Sequence, residues 1–518
     1  MQLQLADAVN ASAELARAAS FGAVLRVMQV DLVPSYGNVT SPRTNLTTSI
    51  PWARPRGPVG AGAGAGVVPP GAVQHDVSTM SAFCYLYGVD QVRRRPDMPV
   101  GMISSAWGGT TLEVWMSPDA LRACDAGAAP ILGCAEPTEP SAAGGRELGL
   151  APHGAHGVTW PDPGLSAFRT PGRDVPGCPA LMSTLYNSMI APLLPFGVTG
   201  FLWYQGESNQ FCPERYARCF PAFIEDLRRK FAPPPAPAVP VPAAPASPWR
   251  PPPPRPFIFA QISTWPCHDN GMITGIRYAQ NAALALPGVG MVVTADIGDP
   301  AGVMHPVHPP FKQEVARRAG LIAERLVHGD MTVPLQGPQV VRVDWDPWDS
   351  SWVAWHHGTP ATGTGVCGPT GAAQGWYCGG IRVTFDRDVV LRPSYGLQYG
   401  MRSGFKLFNA ATGSAALGGT SLGDRQLVSP LCTNCTVCPC SQELDVGGLV
   451  TPRTLQLNTT FIFGKPSVLK YGWNDYPTMI LFDADGRPVA PFNFTLGYAR
   501  AATAAAAVHP PVSTAAAR

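Results

Sequence analysis

Three stretches of the chain place polar groups directly after short apolar runs. SSAWGGT contains Gly108 and Gly109, WYQGESN contains Gln205 and Asn209, and DIGDPAGVMHPVHPPFK contains His308. A histidine can act as a general base, while amide groups and the backbone of a glycine turn can donate hydrogen bonds to a negatively charged oxygen. This combination predicts hydrolysis by acyl transfer, which needs a nucleophile, a base, a group that orients the base, and oxyanion donors.

The flanking segments predict strands alternating with helices. MPVGMISSAWGG, GVTGFLWYQG, PFIFAQIS and VGMVVTADIG are typical of strands. PALMSTLYNSMIAPLLP, PERYARCFPAFIEDLRRKF and FKQEVARRAGLIAERLVHG are typical of helices. Alternation of this kind predicts an α/β domain whose parallel sheet has helices on both faces. Ligands of such sheets bind beyond the carboxyl ends of the strands. We therefore expect Gly108, Gln205 and His308 to converge at one edge.

The chain divides into two predicted domains and a tail. The α/β pattern covers 1–330, and short strands with turn signals and little helix predict a β-rich, sandwich-like domain over 331–500. Two segments of the first domain, a Gly/Ala/Pro stretch at 50–72 and a proline-dense stretch at 232–256, are interpreted as insertions. The Ala-rich end, 501–518, is predicted to be disordered.

Composition excludes some classes of function. The formal net charge of the 518 residues is +2, so electrostatics give no reason to expect a nucleic-acid partner. No run of 18 apolar residues occurs, so a membrane span is not expected. The first residues, MQLQLADAVNASAEL, do not have the basic and apolar regions of a signal peptide. The oligomeric state cannot be derived from these features.

The cysteines favour an oxidising compartment. Of the 13 cysteines, Cys432, Cys435, Cys438 and Cys440 lie within nine residues, CTNCTVCPC. Two overlapping C-x-x-C spacings leave a zinc knuckle open, but no second ligand cluster with zinc-like spacing follows, so we favour disulfides and no metal.

Glycosylation sequons indicate the same compartment. The pattern N-x-S/T occurs six times, at Asn10, Asn38, Asn45, Asn434, Asn458 and Asn493. Together with the cysteines, these sequons favour the secretory pathway, with an extracellular or lysosomal destination.

Six stretches in order resemble one known family. GMISSAWGGTTLEVWMS, LYNSMIAPLLPF, WYQGESN, IRYAQ, DIGDP and HPPFKQEVARR resemble the sialate O-acetylesterases of the SGNH hydrolase superfamily. The resemblance runs from Met1 to about Phe494, apart from the two insertions. It implies a three-layer α/β/α catalytic domain with accessory β-domains, an acetylated carbohydrate as substrate, and no cofactor.

The resemblance assigns oxyanion and substrate-binding roles near WYQGESN. It implies that Gln205 donates to the oxyanion, that Gly206 allows close backbone approach, and that Glu207 and Asn209 lie beside the site or face the substrate. The alternative for Gln205 is that it only caps a buried strand.

The glycine pair and its neighbouring serines have two possible roles each. By resemblance, the backbone N–H groups of Gly108 and Gly109 contribute to the oxyanion hole, although an ordinary tight turn would also use two glycines. Ser104 and Ser105 could be nucleophiles, but they lack a nucleophile-elbow pattern, and a structural role is favoured.

The base is assigned to a histidine. The family pattern HP-x-x-K is met by HPPFK, which begins at His308, and this histidine is preferred over His305. In many SGNH enzymes an Asp three residues earlier orients the histidine, and here that position is His305 itself. Asp296, Asp299 or a backbone carbonyl could orient the His308 imidazole instead.

The nucleophile of the family is not found in this sequence. The family carries it in a GQSNM block, and Met1 can be superposed on the last Met of that block. We therefore expect the chain to begin just after the catalytic Ser, as a fragment or a start at an internal Met. The leading interpretation is an esterase of this type that lacks its N-terminal part. The alternatives are a non-catalytic carbohydrate-binding protein and a secreted structural protein with a decayed hydrolase module.

Overall fold

The structure of the protein is a computed structural model that describes most of the two predicted domains. The described residues are 3–33, 39–57, 76–125, 181–232, 254–264, 272–298, 308–347, 376–377, 379–392, 404–409, 425–426, 445–458, 462–463, 467–473, 477 and 479–498. The cysteines of CTNCTVCPC, the tail 501–518 and most of 50–72 and 232–256 lie outside these ranges.

The described part of the first domain contains six strands in two sheets of three. The strands are β1 (Leu25–Val30), β2 (Thr48–Ala53), β3 (Val100–Ser104), β4 (Phe201–Trp203), β5 (Phe257–Ala260) and β6 (Val289–Val292). One sheet has the order β2-β1-β3 and the other β4-β5-β6. The neighbours β1–β3, β4–β5 and β5–β6 are parallel, as predicted, and β2 is an antiparallel edge strand.

The parallel sheet expected as one unit is therefore divided, within the described residues, into two sheets, β2-β1-β3 and β4-β5-β6. Among the described residues no strand ladder joins β3 to β4. The edge strand β2 also takes up the first residues of the predicted insertion at 50–72. Ile50 is buried there and pairs with Gln29, and Pro51 is tolerated because this strand lies at the edge of its sheet.

The described part of the first domain contains six α-helices. They are α1 (Ala11–Arg17), α2 (Ala82–Arg94), α3 (Pro118–Asp125), α4 (Pro213–Lys230), α5 (Met272–Gln280) and α6 (Lys312–Leu326). Helix α2 begins after Ser81, whose hydroxyl accepts from the Cys84 N–H, and Arg93 and Arg94 occupy its last turn. Helix α4 begins with Pro213, a residue suited to the first helical position.

The side chains of β5 show the three layers. Alternate residues of a strand point to opposite faces, and here Phe257 and Phe259 pack in one core cluster with Phe220 of α4. Ile258 and Ala260 belong to another cluster, together with α6. Because β5 is buried on both faces, its sequence is an apolar run without alternation. The predicted α/β/α arrangement is confirmed.

One predicted helix is irregular. PALMSTLYNSMIAPLLP forms a π-helical turn over Tyr186–Ile190 and a 3₁₀ turn over Ala191–Leu193. Pro192 has no N–H to continue an α-helical ladder, which explains why the regular helix expected from the apolar spacing does not extend through it.

The second domain is β-rich, as predicted. Its strands are β7 (Val340–Pro347), β8 (Trp376–Tyr377), β9 (Gly379–Phe385), β10 (Val390–Leu391), β11 (Phe405–Asn409), β12 (Arg425–Gln426), β13 (Asp445–Thr451), β14 (Thr454–Asn458), β15 (Ile462–Phe463), β16 (Val468–Tyr471), β17 (Leu481–Phe482), β18 (Phe492–Thr495) and β19 (Gly497–Tyr498). The two largest sheets have the orders β13-β14-β9-β7-β19 and β12-β11-β16-β18. Residues of both sheets, such as Ile381 and Leu469, lie in one apolar cluster.

The two domains are in contact through an aromatic pair. The ring of Trp473, which follows β16, lies 4.9 Å from that of Tyr278 on α5. The Thr274 hydroxyl donates to the Trp473 carbonyl at 2.9 Å. Helix α5 is thus fixed against the β-rich domain.

Among the described helices, none is long and apolar enough to cross a bilayer.

A disulfide joins two helices of the first domain. Cys124 of α3 and Cys219 of α4 are bonded across 95 residues of sequence. Asp125 lies beside these two sulfurs, which would allow a metal site. The sulfurs are bonded to each other and Asp125 accepts from Arg215 at 3.0 Å, so we interpret the pair as a structural disulfide.

Breaking this disulfide should weaken the first domain. We expect Cys124→Ala/Cys219→Ala to lower the free energy of unfolding by about 2–5 kcal/mol, because the cross-link restricts the unfolded chain over a long loop. Urea unfolding followed by circular dichroism measures the change. Equal midpoints for the two proteins without reductant would contradict this role.

Candidate active site

The glycine turn after β3 is closed by Thr110. Gly109 has φ 74°, a conformation that glycine adopts without the strain of a side chain. The Thr110 hydroxyl donates to the Trp107 carbonyl at 2.7 Å and accepts from the Trp115 indole N–H at 2.9 Å. The turn therefore has a fixed shape, and it leaves the Thr110 carbonyl available to a neighbouring strand end.

Gln205, the second residue after β4, makes that contact. Its side chain is buried, and its amide nitrogen donates to the Thr110 carbonyl at 3.1 Å and to Asn209 Oδ1 at 2.7 Å. Its Oε1 accepts from the Tyr216 hydroxyl at 3.2 Å. Both amide hydrogens are thus engaged, and an oxyanion would have to replace the more distant acceptor, the Thr110 carbonyl.

Asn209 completes the connection between the two strand ends. Its Oδ1 accepts from the Leu112 backbone N–H at 2.9 Å as well as from Gln205, and its Nδ2 donates to Glu113 Oε2 at 2.9 Å. The side chain is only 6% exposed. Since buried polar groups are costly without partners, these bonds hold the loop after β3 against the loop after β4.

Gly206 is required by close packing. Its φ is 157°, and an added Cβ would lie 2.8 Å from Cγ2 of Ile262 and 2.9 Å from Cγ2 of Ile276. Its neighbour in the motif, Glu207, is half-buried, and its Oε1 has no hydrogen-bond partner in the part of the chain that the structure describes. A buried carboxylate oxygen without a partner is uncommon in a native protein.

His308 lies in a short turn that precedes α6. The side chain is half-buried. The carbonyl of the next residue, Pro309, accepts from Lys312 Nζ at 2.6 Å, and that nitrogen lies 4.9 Å from the centroid of the Tyr204 ring. Since Tyr204 directly precedes Gln205, the turn that carries His308 is connected to the end of β4.

Of the two carboxylates that could orient His308, the described residues include Asp296 but not Asp299. Both Asp296 oxygens accept from the Arg318 guanidinium at 2.7 Å, in a pair that is almost fully buried. This carboxylate is thereby committed to an ion pair, and its role towards His308 stays a prediction. Asp299 and His305 lie outside the described residues.

The serines near the glycine turn and Gln205 lie in or next to regular elements of the fold. Ser104 is the last residue of β3 and is 6% exposed, and the Ser105 hydroxyl donates to the Met189 carbonyl at 3.1 Å. Ser208 lies within the 3₁₀ turn Glu207–Asn209. These positions agree with the structural role favoured for Ser104 and Ser105.

Sequence reasoning missed two polar residues of α5. Gln280 donates to the Gln205 carbonyl at 3.0 Å and accepts from the Ile262 N–H at 2.9 Å. Arg277 is fully buried and donates to the Ser263 carbonyl at 2.6 Å. Both occur in IRYAQ. The available signal was two polar residues at helical spacing on one side of an apolar helix, which usually indicates buried partners.

Comparison with known proteins identifies relatives of this chain. It is 29% identical to the sialate O-acetylesterase of Mus musculus over 356 residues, which cover 66% of this chain and 58% of the mouse protein. The Homo sapiens protein of that name is 26% identical over 354 residues. The chain is similar to the sialate O-acetylesterases over about two thirds of its length. The resemblance predicted from the six stretches is confirmed.

The match covers only part of each relative's length. The chain spans 58% of the length of the mouse and rat relatives that it matches, and no family model matches it. A carbohydrate acetylesterase of Xanthomonas citri superposes with a TM-score of 0.56 at 20% identity, covering 95% of this chain and 78% of that protein. At this identity the likeness establishes the fold alone.

The bonds of Asn209 should stabilise the protein measurably. Asn209→Ala leaves the Leu112 N–H and one Gln205 N–H without their acceptor, so we expect the free energy of unfolding to fall by about 2–4 kcal/mol. Asn187→Ala is a matched control, because Asn187 is equally buried and donates to the Val39 carbonyl away from this site. Urea unfolding compares the two. A smaller loss for Asn209→Ala than for Asn187→Ala would contradict the bridging role.

Proposed function

We propose that this protein is the major part of a carbohydrate esterase that removes O-acetyl groups from sialic acids or other acetylated sugars. The observation that carries the proposal is the contact between Gln205 and the Gly108–Gly109 turn, made through the Thr110 carbonyl. This bond brings the Gln205 amide to the turn whose backbone N–H groups we propose as the other oxyanion donors. The names of the homologous proteins support acetyl esters as the substrate class.

The proposed mechanism is acyl transfer through a serine ester. The His308 imidazole takes the proton of a serine hydroxyl as its oxygen attacks the acetyl carbonyl carbon. The negative charge that develops on the carbonyl oxygen is stabilised by the backbone of the Gly108–Gly109 turn and by the Gln205 amide. The sugar oxygen leaves with the proton from His308, and water then hydrolyses the acetyl-serine by the same steps in reverse order.

We further propose that the nucleophilic serine lies on a segment outside these 518 residues. Two observations support this: the Ser105 hydroxyl is bonded to the Met189 carbonyl, and among the described residues no ladder joins β3 to β4. A strand between β3 and β4 would complete one parallel sheet. Its carboxyl end would then place a residue between the glycine turn and Gln205, since all these strand ends meet at one edge.

Passage through the secretory pathway is the proposed localisation. A disulfide between α3 and α4 is expected in an oxidising compartment. The described sequon residues with an assigned exposure, Asn10, Asn45 and Asn493, are all exposed, as glycosylation requires.

Acetate release tests the proposed activity. The protein beginning at Met1 should hydrolyse p-nitrophenyl acetate or an acetylated sugar poorly, because His308 has no serine hydroxyl to deprotonate. A protein extended upstream through a GQSN block should be active, and His308→Ala in it should lower kcat/KM by at least about 10³-fold. His328→Ala is the matched control, since His328 pairs with Gln91 away from the site.

Two outcomes would contradict the proposal. Equal activity of the two proteins would place the nucleophile within these 518 residues and return Ser104, Ser105 and Ser208 to consideration. An extended protein that binds acetylated sugar without hydrolysing it would support the carbohydrate-binding alternative.

A further inference from the structure

Lys312 occupies a position that is unfavourable for a lysine. It is the first residue of α6, where the helix dipole favours negative charge, and its side chain is 1% exposed. Burial lowers the pKa of its ammonium group to about 7, and the Glu207 carboxylate opposes that change. A buried cation at a helix N-terminus costs stability, so its presence calls for a compensating role.

The geometry of the side chain indicates that role. Side chains of a helix point back towards its N-terminus, and the Lys312 ammonium accordingly reaches the Pro309 carbonyl at 2.6 Å. The same nitrogen lies over the Tyr204 ring, 4.9 Å from its centroid. One side chain therefore contacts both the residue after His308 and the residue before Gln205.

We propose that Lys312 is a positioning residue, which holds the turn of His308 against the end of β4 and so fixes the imidazole relative to Gln205. This inference rests on the proposed function of His308 as the base. Lys312 does not itself contact the reacting atoms in this account. The half-buried Glu207 carboxylate, whose Oε1 has no hydrogen-bond partner within the described residues, favours the charged form of the Lys312 side chain and so opposes the fall of its pKa.

A second contact, made by the N-terminal segment, also holds the turn that carries His308. The Val9 N–H donates to the Pro310 carbonyl at 2.9 Å, from the side of the N-terminal segment. That bond ties the turn to residues before α1, whereas Lys312 ties it to β4. Loss of Lys312 should therefore leave the turn attached and α6 packed near Tyr204, but remove the bond that fixes the Pro309 carbonyl, so that the position of His308 relative to Gln205 changes.

Lys312→Met tests the proposal, with Lys470→Met as the matched control. Met keeps most of the volume and removes the buried charge, so the fold should be retained. Lys470 is also buried, and its Nζ lies 3.6 Å from the Trp473 ring centroid, in the other domain. The readout is the ¹³Cε1 resonance of His308 in protein labelled at histidine, assigned by its loss in His308→Gln.

We expect Lys312→Met to shift and broaden the His308 resonance at pH 7, and Lys470→Met to leave it unchanged. In the extended, active protein, Lys312→Met should lower kcat about 10- to 100-fold with little change in KM, because a base displaced by about 1 Å loses rate rather than substrate affinity. An unchanged His308 resonance in Lys312→Met, or an equal change in both variants, would overturn the proposal.

The NMR measurement on His308 tests this inference independently of the proposed esterase activity. If no form of the protein hydrolyses an ester, the esterase proposal fails, and the His308 resonance still decides whether Lys312 positions the turn. If Lys312→Met does not fold, Glu207→Gln replaces it. Removing that carboxylate should favour the neutral amine and weaken its bond to Pro309, so the His308 resonance at pH 7 should move. An unchanged resonance in Glu207→Gln would then overturn the proposal.

Discussion

The candidate site depends on the hydrogen bonds of two buried amides, Gln205 and Asn209. No ladder joins β3 to β4 among the described residues, so the backbone itself does not hold these strand ends together. The amides do so instead, through the Thr110 carbonyl, the Leu112 N–H and the Glu113 carboxylate. Because each group is buried, none can exchange its partner for water without cost, and the two loops are held in one arrangement.

Side chains also bond the backbone groups at the ends of the other strands. Beyond the last ladder bond, the carbonyl groups of a buried strand still need donors, and helices α5 and α6 supply them. Arg277 donates to the Ser263 carbonyl after β5, and Arg318 donates to the Val293 carbonyl after β6. The carboxyl edge of the sheets is thus built by side chains that reach it from the flanking helices, which also explains why so many buried polar groups lie around Gln205.

Much of this arrangement could be predicted from sequence, for reasons that are local. The apolar run of β5 and the helical spacing of α4 and α6 reflect burial on defined faces, and the β-rich domain follows from short strands with turns. The two separate sheets could not be predicted, because ladder pairing depends on neighbours distant in sequence. The roles of Gln280 and Arg277 were missed for the same reason: a polar residue in an apolar helix indicates a buried partner but does not identify it. The placement of Asp299 and His305 stays a prediction.

The central claim is that the Gln205 amide and the Gly108–Gly109 turn form the oxyanion hole of an acyl-transfer site. A crystal structure of the upstream-extended protein, inactivated by an alkyl p-nitrophenyl phosphonate, tests it most directly, since the tetrahedral adduct reproduces the position of the oxyanion. We predict a phosphonyl oxygen about 2.7–3.1 Å from Gln205 Nε2 and from a backbone nitrogen of the turn, with the Thr110 carbonyl released by Gln205. A phosphonyl oxygen held by other donors, with the bond between Gln205 and Thr110 intact, would contradict the account.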